Sequence, residues 1–176
     1  MHGLRKILFA VALGLLVVPL VPGAAQARDH RVLELRDDCE VESWSVVPCA
    51  YGDDEDDGSV SEAEFRAELS DGGHGAWWIR QRAVTIDAGD TLSAENTGGI
   101  FHTLTEVDAF GRGCVPDWNV AVEETVENCG RIVTPQSLNL APGQSATTAA
   151  PLSVGVHRFQ CLIHPWMRSV VTVRKG

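Results

Sequence analysis

The sequence predicts an all-β protein, built as an antiparallel β-sandwich. Short segments rich in β-branched residues recur along the chain, including 83–86, 101–107 and 169–173. Turn sequences separate such segments, for example at 88–90 and 96–99. Short strands with regularly spaced turns favour an antiparallel sandwich over a parallel sheet.

The N-terminal segment, residues 1–27, has the features of a secretory signal peptide. Arg5 and Lys6 precede an apolar run, and Ala25-Gln26-Ala27 forms an A-x-A cleavage site. The apolar run is short and is interrupted by prolines, which disfavours a membrane anchor. We therefore expect a secreted protein, periplasmic or extracellular, without a membrane span in the mature chain.

We expect two further regions after the signal peptide. Residues 28–75 form an acidic, partly helical N-terminal extension, and residues 76–176 form the β-domain. The formal net charge of the whole chain is −10, and loss of the two basic residues Arg5 and Lys6 takes it to −12. This charge disfavours nucleic-acid binding, which needs the opposite sign, and favours a basic partner over anionic lipid.

The cysteine count predicts one ligating or free thiol. The chain has five cysteines, and an odd number in a secreted protein leaves one without a disulfide partner. Cys161 is the natural exception because it lies among other metal-binding residues. The remaining four allow three pairings, of which sequence proximity favours Cys39–Cys49 and Cys114–Cys129.

Two stretches of the extension allow alternative interpretations. Residues 28–38 are either a frayed terminus or a short edge strand. The acidic run that follows matches a calcium-binding EF-hand loop at Asp53, Glu55, Asp57, Gly58, Ser61 and Glu64. The alternative is a solvated acidic loop, with Ser59 or Ser61 as the N-cap of a helix over 61–69.

The densest metal-binding chemistry lies in 159–167. Cys161, His164 and Met167 follow one another at intervals of three residues, and Pro165 disfavours a helix between them. The flanking segments are typical of strands, so the three side chains lie on a loop between two strands. His102, at a strand end after a Gly-Gly turn, is the best second imidazole. A thiolate, two imidazoles and a thioether are the donors of a blue-copper site, whereas the alternative is a structural cysteine beside unrelated His and Met residues.

The motif Cys161-x-x-His164-Pro165-x-Met167, with Gly-Gly-x-x-His upstream, resembles the cupredoxin family of type 1 blue copper proteins. It is most similar to the amicyanin- and plastocyanin-like members, and the resemblance covers roughly residues 77–174. It implies a Greek-key β-sandwich in which His102, Cys161, His164 and Met167 bind one copper ion.

The resemblance also implies a function. The chain is expected to be a monomeric, non-enzymatic carrier of single electrons, whose redox partner docks briefly near His164 and Trp166. Trp166 either forms the docking patch or covers the copper. The alternative function is a copper buffer or delivery protein with the same ligands. A copper oxidase or nitrite reductase would need further histidine ligands, often as His-x-His. Outside the proposed site the mature chain has only His30, His74 and His157, and it has no His-x-His.

Neighbouring residues are expected to support this site. Thr103 follows the first histidine and offers a hydroxyl tether, and Ile163 has an N–H that could donate to the Cys161 sulfur. We expect His74 to be a solvent-exposed loop residue and His157 to be structural.

Overall fold

Two β-sheets share one hydrophobic core in the computed structural model of the chain. The structure describes residues 30–45, 47–50, 59–69, 72–111, 113–115 and 137–176. The elements are β1 (His30–Arg36), α1 (Glu62–Glu68), β2 (Trp78–Ile79), β3 (Ala83–Asp87), β4 (Thr91–Asn96), β5 (His102–Val107), β6 (Leu138–Leu140), β7 (Ser145–Thr147), β8 (Gly155–Gln160) and β9 (Arg168–Arg174). This mostly-β architecture confirms the predicted fold class and the short helix near the N-terminus.

The sheets are mixed, which corrects the purely antiparallel expectation. One sheet has the order β2-β1-β4-β7, and the other has the order β3-β9-β8-β5-β6. The pairs β1–β4 and β3–β9 are parallel, whereas the other pairs are antiparallel. The turn pattern predicts local hairpins only, and these two parallel pairs join strands that are distant in sequence.

Strand β1 is neither frayed nor at an edge. It pairs with β2 on one side and with β4 on the other, in register from His30↔Thr91 to Leu35↔Asn96. Side chains at 33, 35, 37 and 39 point inward, while the charged residues between them are more exposed. Buried side chains therefore alternate with charged ones along β1, and this period of two residues is typical of a half-buried strand.

Helix α1 begins at the N-cap Ser61, as the helical alternative predicted. Ser61 and Glu64 form a capping box, in which each side chain accepts a hydrogen bond from the other residue's backbone N–H. The Ser61 hydroxyl and the Ser61 backbone N–H both donate to the Glu64 carboxylate, which lowers the pKa of Glu64. Residues 53–58 of the predicted calcium loop lie outside the described residues, so that hypothesis remains a prediction.

Disulfide bonds follow the predicted pattern where the structure describes both partners. Cys39 and Cys49 are joined, and Cys161 is a free, buried thiol. Cys114 is also disulfide-bonded, and its predicted partner Cys129 lies outside the described residues. The predicted signal peptide lies outside them as well. In the part of the chain that the structure describes, no helix is long and apolar enough to span a membrane.

Candidate metal centre

The centre lies at one end of the second sheet. Strand β5 begins at His102, and Cys161 comes directly after the last residue of β8. The two strands are antiparallel neighbours, with Thr105 opposite Gln160. The start of one therefore lies beside the end of the other, which brings together two residues that are 59 positions apart in sequence.

Three side chains converge there and exclude solvent. The Cys161 Sγ atom lies 3.8 Å from Nδ1 of His102 and 3.7 Å from Nδ1 of His164. The ligand atoms of the three residues all lie within 4.8 Å of one another. Each of the three residues is 0% exposed.

Met167 closes the loop that carries His164. Its backbone N–H donates to the carbonyl of His164 at 2.9 Å, and its carbonyl accepts from the N–H of Cys161 at 3.1 Å. The residue is 1% exposed and lies at the end of the loop that carries His164. These backbone bonds fix the spacing of Cys161, His164 and Met167 across a tight turn before β9.

The donor set and its spacing fit a copper ion. Metal bonds of about 2.0–2.3 Å to nitrogen and sulfur, at angles near 120°, place the two donor atoms about 3.8 Å apart. The two sulfur–nitrogen distances here are 3.7 and 3.8 Å. A thiolate with two imidazoles in a plane and a methionine nearby is the set that selects copper for electron transfer.

Asp37 fixes the orientation of the first histidine, a role that the sequence motifs do not indicate. Its Oδ2 lies 2.7 Å from His102 Nε2, and both side chains are 0% exposed. The same carboxylate accepts from the backbone N–H groups of Gly99 and Ile100. It thus leaves His102 Nδ1 directed at the sulfur. The inward alternation of residues 33, 35, 37 and 39 was the signal that could have found it.

Thr103 supports Cys161 as expected, whereas Ile163 does not. The Thr103 N–H lies 3.4 Å from the sulfur, and the Thr103 hydroxyl lies 3.9 Å from it. The same hydroxyl accepts from the N–H of Leu162 at 2.8 Å. Among the hydrogen bonds of the described residues, the Ile163 N–H does not reach the sulfur. The hydrogen-bond donor to the Cys161 sulfur is therefore Thr103 of β5, across the centre, and not a residue of the ligand loop.

Protonation in the metal-free protein follows from burial and these contacts. Burial lowers the pKa of His102, but Asp37 and Cys161 outweigh it and raise this pKa to about 9. Burial raises the pKa of Cys161, but the two imidazoles hold it well below its usual value. Burial lowers the pKa of His164. The two imidazoles therefore favour the thiolate form of Cys161, the form that metal binding requires.

Aromatic side chains cover His164. Its ring contacts Trp166 at 5.5 Å between centroids, Phe65 at 6.1 Å and Trp77 at 6.3 Å. Phe65 comes from α1, in the N-terminal segment that the family resemblance did not cover. Trp166 is partly exposed, so it covers His164 on one side and meets solvent on the other.

The other described histidines lie outside the metal-binding group. The His74 side chain is 13% exposed, packs against Phe65 and Trp77, and lies 3.3 Å from a carboxylate oxygen of Glu68. The prediction of a solvent-exposed His74 is therefore wrong. His157 contacts Glu106 and the carbonyl of Ser153, which agrees with a structural role.

Comparisons with known proteins return cupredoxins among solved structures. A purple cupredoxin from Nitrosopumilus maritimus matches at 21% identity and a TM-score of 0.41, covering 57% of this chain and 86% of that one. Amicyanin from Paracoccus versutus matches at 22% identity and a TM-score of 0.35, covering 55% of this chain and 72% of that one. No protein-family model and no curated protein matches the sequence.

Proposed function

We propose that this chain is an exported type 1 copper protein that carries single electrons between redox partners. His102, Cys161, His164 and Met167 are the copper ligands in this proposal. The observation that carries it is the convergence of one thiolate and two imidazole Nδ1 atoms in a buried centre, at the separations that a shared metal ion requires. Bound there, copper would supply a one-electron couple.

The protein's contribution is to hold the donors in one arrangement. Asp37 fixes the His102 ring, and Thr103 holds the Cys161 sulfur from the neighbouring strand. The backbone bonds of Met167 fix the loop around His164. Because the protein fixes the positions of the donor side chains in both oxidation states, few atoms would have to move when an electron is transferred. Burial excludes water from the donors.

The same burial supports an electron carrier over the copper buffer or delivery protein. Transfer of a copper ion to another protein needs a donor that the acceptor's ligands can reach. Here the cysteine and both histidines are 0% exposed. An electron needs no such access, since it can pass through packed aromatic side chains.

Export and partner docking belong to the same proposal. The signal-like N-terminus and the disulfide-bonded cysteines support an oxidising compartment, either a periplasm or the outside of the cell. The mature chain acts as a monomer, without an enzymatic reaction of its own. A redox partner docks briefly near Trp166, which lies against His164 and is partly exposed.

A visible absorption spectrum tests this function. The mature protein loaded with Cu(II) is expected to show an intense thiolate-to-copper band that a reductant bleaches. The Cys161→Ser variant, loaded in the same way, is expected to lack the band. A colourless wild-type protein that nevertheless binds Cu(II) would contradict the type 1 site.

A further inference from the structure

A pocket opens beside Trp166, outside the metal centre. Its volume is about 320 Å³, and its walls come from the 72–79 segment, Arg82 and the end of the ligand loop. This volume lies in the range of small-molecule sites rather than of flat protein interfaces. The residues that matter for the argument are Gly73, His74, Trp78, Arg82, Trp166 and Arg168.

Trp166 joins this pocket to the metal centre. Its ring packs edge-on against the His164 ring, with 5.5 Å between the ring centroids. Its indole N–H donates to the carbonyl of His74 at 3.1 Å. Gly73 lies so close to the ring that an added Cβ would overlap it. A molecule in the pocket would therefore be separated from His164 by one indole ring.

The pocket is positively charged in a chain of net charge −10. Arg82 and Arg168 both line it and are both exposed. The Nε–H of Arg168 donates to the carbonyl of Pro165, so this guanidinium is held at the ligand loop. The described lining residues include no carboxylate, and Glu68 contacts the Nε2 atom of the lining residue His74. The local charge thus opposes the charge of the whole chain.

We propose that this pocket binds a small anionic electron donor or acceptor, and that the electron passes between it and His164 through Trp166. This inference rests on the proposed function. Two guanidinium groups recognise the negative charge, and the aromatic walls exclude water. The sequence alone predicts the reverse, a basic partner, because net charge says nothing about where the basic residues lie.

A binding experiment tests the site without any electron transfer. Hexacyanocobaltate(III), a redox-inert trianion, is titrated into the mature wild-type protein, and the NMR signal of the Trp166 indole N–H is followed. We expect a saturable shift that is weakened about threefold to tenfold in Arg82→Gln at low ionic strength. The control is Arg174→Gln, because Arg174 lies at the other end of β9, about 20 Å from Arg168. Equal binding by the two variants would overturn the proposal.

A kinetic experiment tests the route. The reduced copper protein gives one electron to hexacyanoferrate(III), which becomes hexacyanoferrate(II); no bond forms or breaks and no proton moves. We expect this rate to fall as salt is added, and to be lower in Arg82→Gln than in Arg174→Gln. A rate that rises with salt, as the net charge of the chain dictates, would overturn the proposal.

The two hypotheses fail in different ways. If the Cu(II) protein lacks the thiolate-to-copper band, the proposed function fails, whatever the titration shows. The band can be present while the trianion leaves the Trp166 signal unshifted, or while its binding is the same with and without Arg82. In either case only the anion-pocket proposal fails. Unchanged rates in Trp166→Leu, with the salt dependence of the rate retained, would overturn the route through the indole.

Discussion

Asp37 is a buried carboxylate that orients a proposed metal ligand, His102, without being a proposed ligand itself. The side chain is fully buried, and its charge is balanced by hydrogen bonds from two backbone N–H groups and by the His102 ring. An isolated buried carboxylate would be costly, so its retention depends on all three partners. The residue therefore couples the 99–100 turn to the orientation of the first imidazole.

We predict that Asp37→Asn weakens copper binding about tenfold to a hundredfold. The amide carries no charge, so it polarises His102 less and orients its Nδ1 less firmly. Copper affinity is measured by competition with a chelator, with Asp108→Asn as the control, because Asp108 is an exposed residue with the same chemistry. Equal affinities in the two variants would show that Asp37 serves only the fold.

His157 gives the fold a pH-dependent contact away from the metal centre. Burial lowers its pKa, but the contacts with Glu106 and the Ser153 carbonyl outweigh burial and raise it. A group whose pKa is raised by folding stabilises the protein fully below its unfolded pKa, about 6.5 for histidine. That contribution disappears as the pH rises through the folded value.

We therefore predict that His157→Gln destabilises the protein more at pH 6 than at pH 9. The measurement is the free energy of unfolding from denaturant titrations of both proteins at each pH. The variant itself cannot titrate at position 157, so the difference isolates the imidazole. A difference that stays constant between pH 6 and 9 would mean that only the shape of the side chain matters.

At the scale of elements, α1 acts as a cover for the second imidazole. The capping box of Ser61 and Glu64 fixes where the helix begins, and Phe65 follows one residue later. Phe65 packs against Trp77 at 4.5 Å and Trp44 at 5.1 Å between ring centroids, and against His164. The start of the helix thus sets the aromatic layer above the metal centre.

We predict that Phe65→Ala lowers the free energy of unfolding by about 3–5 kcal/mol. The substitution leaves a cavity under α1 and opens a path for water to His164. The control is Phe101→Ala, since Phe101 is 39% exposed whereas Phe65 is 0% exposed. Denaturant titration of the metal-free proteins gives the energies, and similar losses in both variants would contradict a core role for Phe65.

At the scale of the whole molecule, the N-terminal segment is part of the sandwich. Strand β1 lies between β2 and β4, with Leu33 and Leu35 fully buried. The same segment supplies Asp37 for one histidine and Phe65 for the other. Both imidazoles therefore depend on residues before position 76.

We predict that a chain starting at Ala76 does not fold, although it contains all four proposed ligands. It lacks β1, so β2 loses its partner in the sheet and β4 loses one of its two neighbouring strands. Far-UV circular dichroism and the dispersion of NMR signals measure the outcome. The control is a chain that starts at Arg28 and so retains β1. A truncated chain with a native spectrum would instead support residues 76–176 as an independent domain.

The predictable parts of the centre were those encoded locally. The spacing of Cys161, His164 and Met167 fits within one loop, and His102 is marked by a turn followed by a strand. The alternation of residues 33, 35, 37 and 39 places Asp37 inward, but it does not place Asp37 beside His102, because that contact depends on the parallel register of β1 with β4. The burial of His164 also depends on a non-local contact, with Phe65, which is 99 residues earlier.

The segment between β1 and β2 contains the Cys39–Cys49 disulfide and α1, and it supplies Phe65 to the layer over His164. It contributes none of the four proposed ligands. Exchange of this segment by loop grafting, with Asp37 kept, would therefore change the insulation around the second imidazole while leaving the donor atoms in place. In engineering terms, this part of the cover over His164 and the four proposed copper ligands lie in separate stretches of the chain, so the cover can be varied while the ligands stay constant.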